Sequence, residues 1–316
     1  MKHKPFGSTG SEVSEIGFGA WAIGGNRYGN SYGPTNDEES FAAVKRAFEL
    51  GCNFYDTADV YGWGHSEELL GQALHDVRGR SIIATKVGGD FYHGGARTNF
   101  SRDYILFAIK KSVERLGTDY VDLYQLHNPT LEMIREGKIF EPMRQLKEAG
   151  TIRFWGVSIH APIEGVEAIR VGKPDSIQVV YNILRQEASE ILLPYAKKSG
   201  VAIIAREPLA NGFLTGKYNA ASTFTLGDIR YNWPPSFLLS RVMAVEMLRF
   251  LEKPNRSLAQ ASLRFALSDD AVSVAIAGAK NVKQVEENLT ASETEPLSVG
   301  NLERIRKLYQ NNFYSS

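Results

Sequence analysis

The chain has 316 residues, of which 43% are hydrophobic and 23% charged, a make-up that excludes a disordered or low-complexity protein. Lysine and arginine (36) balance aspartate and glutamate (36), and no basic tail or block breaks that balance, so neither nucleic acid nor an anionic membrane is an expected partner. No uncharged apolar window approaches the roughly 18 residues a spanning helix needs.

In chain order, the polar stretch 1–10 lacks the apolar run of a signal peptide, and Cys52 is the only cysteine, so a cytoplasmic location without disulfides is expected. Residues 4–6 and 13–14 around Ser8-Thr9-Gly10 read as a hairpin that precedes the main body of the fold and plugs its floor. Eight short apolar runs come next, at 16–20, 53–55, 82–85, 121–125, 154–157, 176–180, 201–205 and 272–277. They are rich in valine, isoleucine and phenylalanine and mostly lack alternation, which is how strands covered on both faces read. Helical patterns separate them, such as Phe41, Val44, Ala47 and Phe48. Ser101 caps the segment 102–116 before Gly117, while Ser257 with Gln260 and Asn281 with Gln284 match the capping-box spacing. This regular alternation favours a single (β/α)8 barrel domain over residues 1–316 rather than a doubly wound sheet. Three segments interrupt it, at 88–100, 212–240 and 297–316. The first two leave the C-terminal ends of strands, the face where barrel enzymes keep their chemistry. The third reads mainly as one more helix, with Leu302, Ile305 and Leu308 on one side. Cys52, after Gly51 in an apolar setting, is expected to be a buried, inert thiol.

Two motifs are decoys. Gly17-Phe18-Gly19-Ala20-Trp21-Ala22 fits a dinucleotide fingerprint, but the chain continues as loop to about Asn36 instead of opening into a helix. Gly212-Phe213-Leu214-Thr215-Gly216-Lys217 is one residue short of a Walker loop, and Tyr218 stands where a magnesium-binding hydroxyl belongs.

Polar residues at strand ends carry the chemistry. Asp56 and Tyr61 follow the second run, Lys86 ends the third and His127 ends the fourth. Singly, each has a bland reading as packing, a solvated charge or a turn cap. On a closed barrel the four converge on one rim.

At this point the sequence resembles the aldo-keto reductase family, in particular its bacterial members related to the potassium-channel β subunits. The resemblance runs from Gly17 to Asn288 and includes Gly64-His65-Ser66-Glu67-Glu68-Leu69-Leu70-Gly71. It implies a monomeric, NADP(H)-dependent reductase of aldehydes and some ketones, with Asp56, Tyr61, Lys86 and His127 as the catalytic set. Tyr61 donates the proton, Lys86 held charged by Asp56 lowers the phenol's pKa, and His127 orients the carbonyl.

Ser158 and Gln178 match positions that bind the nicotinamide carboxamide, although Ile159-His160 follow the serine where the family has Asn. Pro208, Leu209, Asn211, Gly212, Leu214 and Lys217 match the pyrophosphate loop. Gly278, Lys280, Gln284, Glu287 and Asn288 match the adenosine site, and Trp21 and Asp56 complete the cofactor contacts. Lys280, beside the helix start at Asn281, suits a 2′-phosphate and favours NADP(H) over NAD(H). Arg206 stands where many relatives stack an aromatic ring on the nicotinamide. It is expected to stack there and bias the protein toward reduction, or else to pair with Glu207. Trp21, Trp63, Phe91 and Tyr92, with Tyr61 and His127, are expected to wall the substrate pocket. Two other classes stay open: an NADPH-binding redox sensor with slow turnover, and a Schiff-base aldolase using Lys86. The six histidines show no ligand-like pairing, so no metal is expected.

Overall fold

The structure is a computed structural model that describes residues 1–28, 31–94 and 97–313. The eight apolar runs all form strands: β1 (Ile16–Gly19), β2 (Phe54–Asp56), β3 (Ile82–Val87), β4 (Val121–His127), β5 (Ile152–Ser158), β6 (Ser176–Val180), β7 (Ala202–Arg206) and β8 (Val272–Gly278). Each pairs in parallel with the next, and β8 pairs with β1, so the sheet closes into a barrel in chain order. Helices cover its outer face, which is why the strands are apolar on both sides.

The pairing register sets two successive levels of positions near the C-terminal mouth. Lys86 lies opposite Gln125, Gln125 opposite Gly156, and Ser158 opposite both His127 and Gln178. Glycine is required at 156, because a Cβ there would stand 2.3 Å from Ser176 Oγ and 3.4 Å from Gln125 Cγ.

The hairpin His3–Pro5 with Glu12–Ser14 forms as expected. Phe6 and Val13 fill the lower barrel against Phe54, Ala84, Leu123, Ile204 and Val274. Just beyond it, Glu15 pairs in the interior with Arg264 at 2.9 Å and accepts from Ser292 Oγ at 2.8 Å, tying the floor to the C-terminal elements.

The capped helices start where the sequence places them. Ser101 Oγ accepts from the Tyr104 N–H, Gly117 closes the same helix in the left-handed conformation, and Ser257 with Gln260 forms a full capping box. Asn281 caps Val282–Leu289, but Gln284 Oε1 reaches one residue further back, to the Lys280 N–H at 2.9 Å. Gly17 and Gly19 lie on β1. A short 3-10 helix, Ala20–Gly24, follows, and the first α-helix begins only at Asp37 with Asn36 as its cap, so the glycines do not open into the α-helix that a dinucleotide fingerprint needs. Gly212, inside the tight turn at Ala210–Thr215, and Gly216, which ends it, are both left-handed, and the turn resembles no phosphate-binding strand–loop–helix.

Segment 88–100 contains a small hairpin, Gly89–Asp90 with Arg97–Thr98, and segment 212–240 leads into the helix Pro235–Glu246. Segment 297–316 is chiefly the helix Val299–Gln310 with Ile305 buried; positions 314–316, like 29–30 and 95–96, lie outside the described residues. Cys52 is buried, and burial pushes its thiol pKa up, as an inert thiol requires.

Candidate active site

Asp56 and His127 are the last residues of β2 and β4, and Lys86 is the penultimate residue of β3. Tyr61 comes five positions after β2, and the backbone folds it back over β3. The Thr57 N–H donates to Ala84 O at 2.8 Å, and the Tyr61 N–H to Ala58 O at 3.1 Å. Gly62, Trp63 and Gly64 then turn in the left-handed region with φ of 61°, 54° and 100°. Only glycine fits at 62, where a Cβ would stand 2.1 Å from Gly24 O.

Those turns bring the groups together. Lys86 Nζ, fully buried, donates to Asp56 Oδ1 at 2.5 Å, to Thr57 O at 2.7 Å and to Tyr61 Oη at 3.3 Å. Three acceptors match the three ammonium hydrogens. Asp56 Oδ2 accepts from Gln178 Nε2 at 2.7 Å and from Gln125 Nε2 at 3.1 Å. The His127 ring meets the Tyr61 ring edge-on, with centroids 6.0 Å apart, and Trp21 lies 6.2 Å from Tyr61 on another side.

Electrostatics separate the roles. Burial raises the Tyr61 pKa, and the nearby Lys86 cation offsets that rise without cancelling it. Burial alone would lower the Lys86 pKa, but Asp56 and then Tyr61 outweigh it, so the amine stays protonated. Burial, followed by the charges of Lys86 and Arg206, holds His127 far below the ordinary histidine range and therefore neutral.

Ser158 is buried at the end of β5, and Gln178 is buried in the middle of β6. With its amide hydrogens given to Asp56 Oδ2 and, at 3.3 Å, to Gln125 Oε1, Gln178 has only its own Oε1 to offer a ligand. Arg206 differs from its first expectation: it is ion-paired with Glu207 and donates to Ile159 O at 3.2 Å, while its Nε is buried with no hydrogen-bond partner. Glu207 offsets part of the charge of a guanidinium that keeps its flat face and still acts on Tyr61 and His127.

Asn211 and Gly212 present left-handed backbone, Pro208 is buried, Leu209 is half-buried and Lys217 is exposed. Leu214 is corrected as a contact: its side chain is fully buried and its N–H is given to Leu209 O. Lys280 Nζ donates to the carbonyls of Tyr32 at 2.5 Å and Pro34 at 3.3 Å. Asn288 Nδ2 donates to Gly278 O at 3.2 Å, Gln284 is occupied by its cap, and Glu287 is exposed.

Sequence reasoning missed a latch across this groove. Ser31 and Tyr32 bridge to Asp228, Tyr32 Oη donates to Asn211 Oδ1 at 2.6 Å, and Arg230 donates to Asn211 O at 2.9 Å. It also missed Gln125, whose signal was a polar residue at a buried strand position among Leu123, Tyr124 and Leu126.

The aromatic wall is a stack. Trp63 lies between Tyr28 (4.2 Å, parallel) and Phe91 (5.6 Å), and Phe91 stacks on Tyr92 at 4.2 Å. Tyr92 packs on Phe107, and its hydroxyl accepts from Arg115 at 2.5 Å. These contacts hold Tyr92 against Phe91 and Arg115.

The model of the Aldo/keto reductase family matches residues 15–310. The chain belongs to that family. It is 34% identical over 295 residues to aldo-keto reductase YhdN of Bacillus subtilis, covering 90% of this chain and 87% of the relative. It is 31% identical to aldo-keto reductase yakc [NADP(+)] of Schizosaccharomyces pombe, covering 95% and 89%. The holo form of aldo-keto reductase AKR11C1 from Bacillus halodurans superposes with a TM-score of 0.82 at 32% identity, over 98% of this chain and 96% of the other. Family membership makes the protein an oxidoreductase on a (β/α)8 barrel. Among the described residues no helix is long and apolar enough to cross a membrane.

Proposed function

We propose that the protein uses NADP(H) to reduce aldehydes and some ketones to alcohols, with Tyr61 as the proton donor. The carrying observation is the Lys86 ammonium held between the Asp56 carboxylate and the Tyr61 hydroxyl. Because Lys86 donates to Tyr61 Oη, the phenol's own hydrogen is free to point at a carbonyl oxygen. As that proton leaves, the fixed cation beside it stabilises the phenolate that forms. Asp56, held by two glutamine amides, keeps the amine charged. Neutral His127 supplies an N–H to the same oxygen and aligns the carbonyl.

The cofactor, when bound, supplies the hydride to the carbonyl carbon. The groove suits a phosphorylated dinucleotide: the charges of Lys217 and Arg230 reach Lys280, and the left-handed backbone at Asn211 and Gly212 admits close approach. The relative named for NADP(+) supports the same choice. Trp21 and the exposed edge of Trp63 flank the carbonyl position. With this reading goes a single barrel domain that acts as a monomer in the cytoplasm.

The test is the loss of NADPH absorbance over a panel of aldehydes and ketones, for wild type and Tyr61→Phe. The variant is expected to bind NADPH normally and to lose on the order of 10²–10⁴ in turnover. Ordinary turnover by the variant sinks the assignment. Tight NADPH binding with only slow single turnover on every carbonyl would replace the reading with that of a sensor.

A further inference from the structure

Past the ends of β6 and β7 lies an opening that none of the converging groups lines. It is a cavity of about 410 Å³ between the residues after β6, the turn after β7 and the helix Pro235–Glu246. Trp233 and Phe237 form one part of its lining, and Arg185, Glu207, Asn211 and Arg241 another.

The two parts differ in chemistry. Trp233 and Phe237 meet edge to face at 5.1 Å, and Phe213 stacks on Trp233 at 6.0 Å, giving an apolar, planar surface. Among the polar residues, Glu207 is paired with Arg206. Arg185 donates to His160 O at 3.2 Å and stands 3.9 Å from Glu187. Half-buried Arg241 has no ion-pair or hydrogen-bond partner among the described residues, only the Phe237 ring at 4.8 Å. Three guanidiniums therefore face two carboxylates, and one positive charge is left over. Burial, and then the charge of Arg185, hold the Arg241 pKa below its ordinary value, a strain that an anion would relieve.

Position links the cavity to the chemistry. Glu207 in its lining holds Arg206, whose charge acts on both Tyr61 and His127. The cations that serve the cofactor groove are a different group. Lys280 feels Asp228, Arg230 and Lys217, whereas Arg241 feels Arg185, Glu187 and Glu207.

We propose that this cavity is a substrate subsite for a carboxylate carried on an apolar, flat body, with Arg241 and Arg185 holding the anion. The substrate class is then carbonyl acids. The proposal rests on the carbonyl-reductase reading above.

The probes are 4-carboxybenzaldehyde and 4-methylbenzaldehyde, which differ in charge more than in shape. Wild type is expected to prefer the carboxylated aldehyde in kcat/KM. Arg241→Gln is expected to lower that preference about tenfold, mainly through KM, with partial recovery in Arg241→Lys. The preference should also shrink as salt is raised. Equal use of the two aldehydes by wild type overturns the subsite, as does an unchanged ratio in Arg241→Gln. An NADPH Kd that weakens in Arg241→Gln as much as the ratio falls assigns the arginine to the cofactor instead, and also overturns it. If neither aldehyde is reduced, the carbonyl-reductase reading fails by itself. Calorimetry with 4-methylbenzoate then decides the subsite: binding by wild type that Arg241→Gln loses supports it, and no binding ends it.

Discussion

Lys86 is a fully buried amine whose three hydrogens all find oxygen acceptors, which is what lets a charge persist in that environment. Its effect on Tyr61 is subtler than the residue types alone imply. The cation opposes burial, yet burial wins, so the phenol's pKa lies above its ordinary value of 10.0. The donor is thus the protonated phenol throughout the neutral range, and Lys86 acts by stabilising the anion left after transfer. That fixes the sign of the pH dependence. Reduction needs Tyr61 protonated, so kcat/KM should stay level from neutral pH upward and fall only in alkali, past the ordinary phenol value. Alcohol oxidation needs the phenolate and should rise over that same alkaline range. A pH–rate profile in both directions checks this, and a reduction limb that already falls near neutrality would contradict it.

At the scale of elements, the turn after β2 does the positioning, and its weak point is Gly62. The backbone there is left-handed and in contact with Gly24, so an added methyl must push the two loops apart. Gly62→Ala should displace Tyr61 from Lys86, with a loss of at least about tenfold in kcat. Because the barrel strands lie elsewhere, far-UV circular dichroism should be preserved. Activity within twofold of wild type would show that the turn tolerates the shift. The latch between residues 31–32 and 211–230 belongs to the same scale, since it joins two loops that leave strands β1 and β7.

Across the whole molecule the two ends of the barrel divide the work. The C-terminal mouth gathers buried ionised groups, while the floor is closed by Phe6 and Val13 against an apolar lower barrel. Phe6→Ala should leave a cavity worth about 3–5 kcal/mol of stability, read as a lower urea midpoint. The Kd for NADPH should be unchanged in the variant that remains folded. A midpoint unaltered by the substitution would mean that the hairpin plays no part in closing the floor.

The eight strands, the caps at Ser101, Ser257 and Asn281, and the four polar residues at strand ends were legible because each rests on local chemistry: apolar runs, capping side chains and a residue type at a strand's end. Their convergence was legible only given closure of the sheet, which parallel pairing and a family resemblance supplied. The pairing of Arg206 with Glu207, the burial of Leu214, the turning of Tyr92 toward Arg115 and the spare charge of Arg241 were not. Those depend on which side chains far apart in the chain compete for the same partner, and on how much water burial removes. Order along the chain carries no record of either. Sequence decided which groups are present and where each strand delivers them; tertiary packing decided which of them are already spoken for.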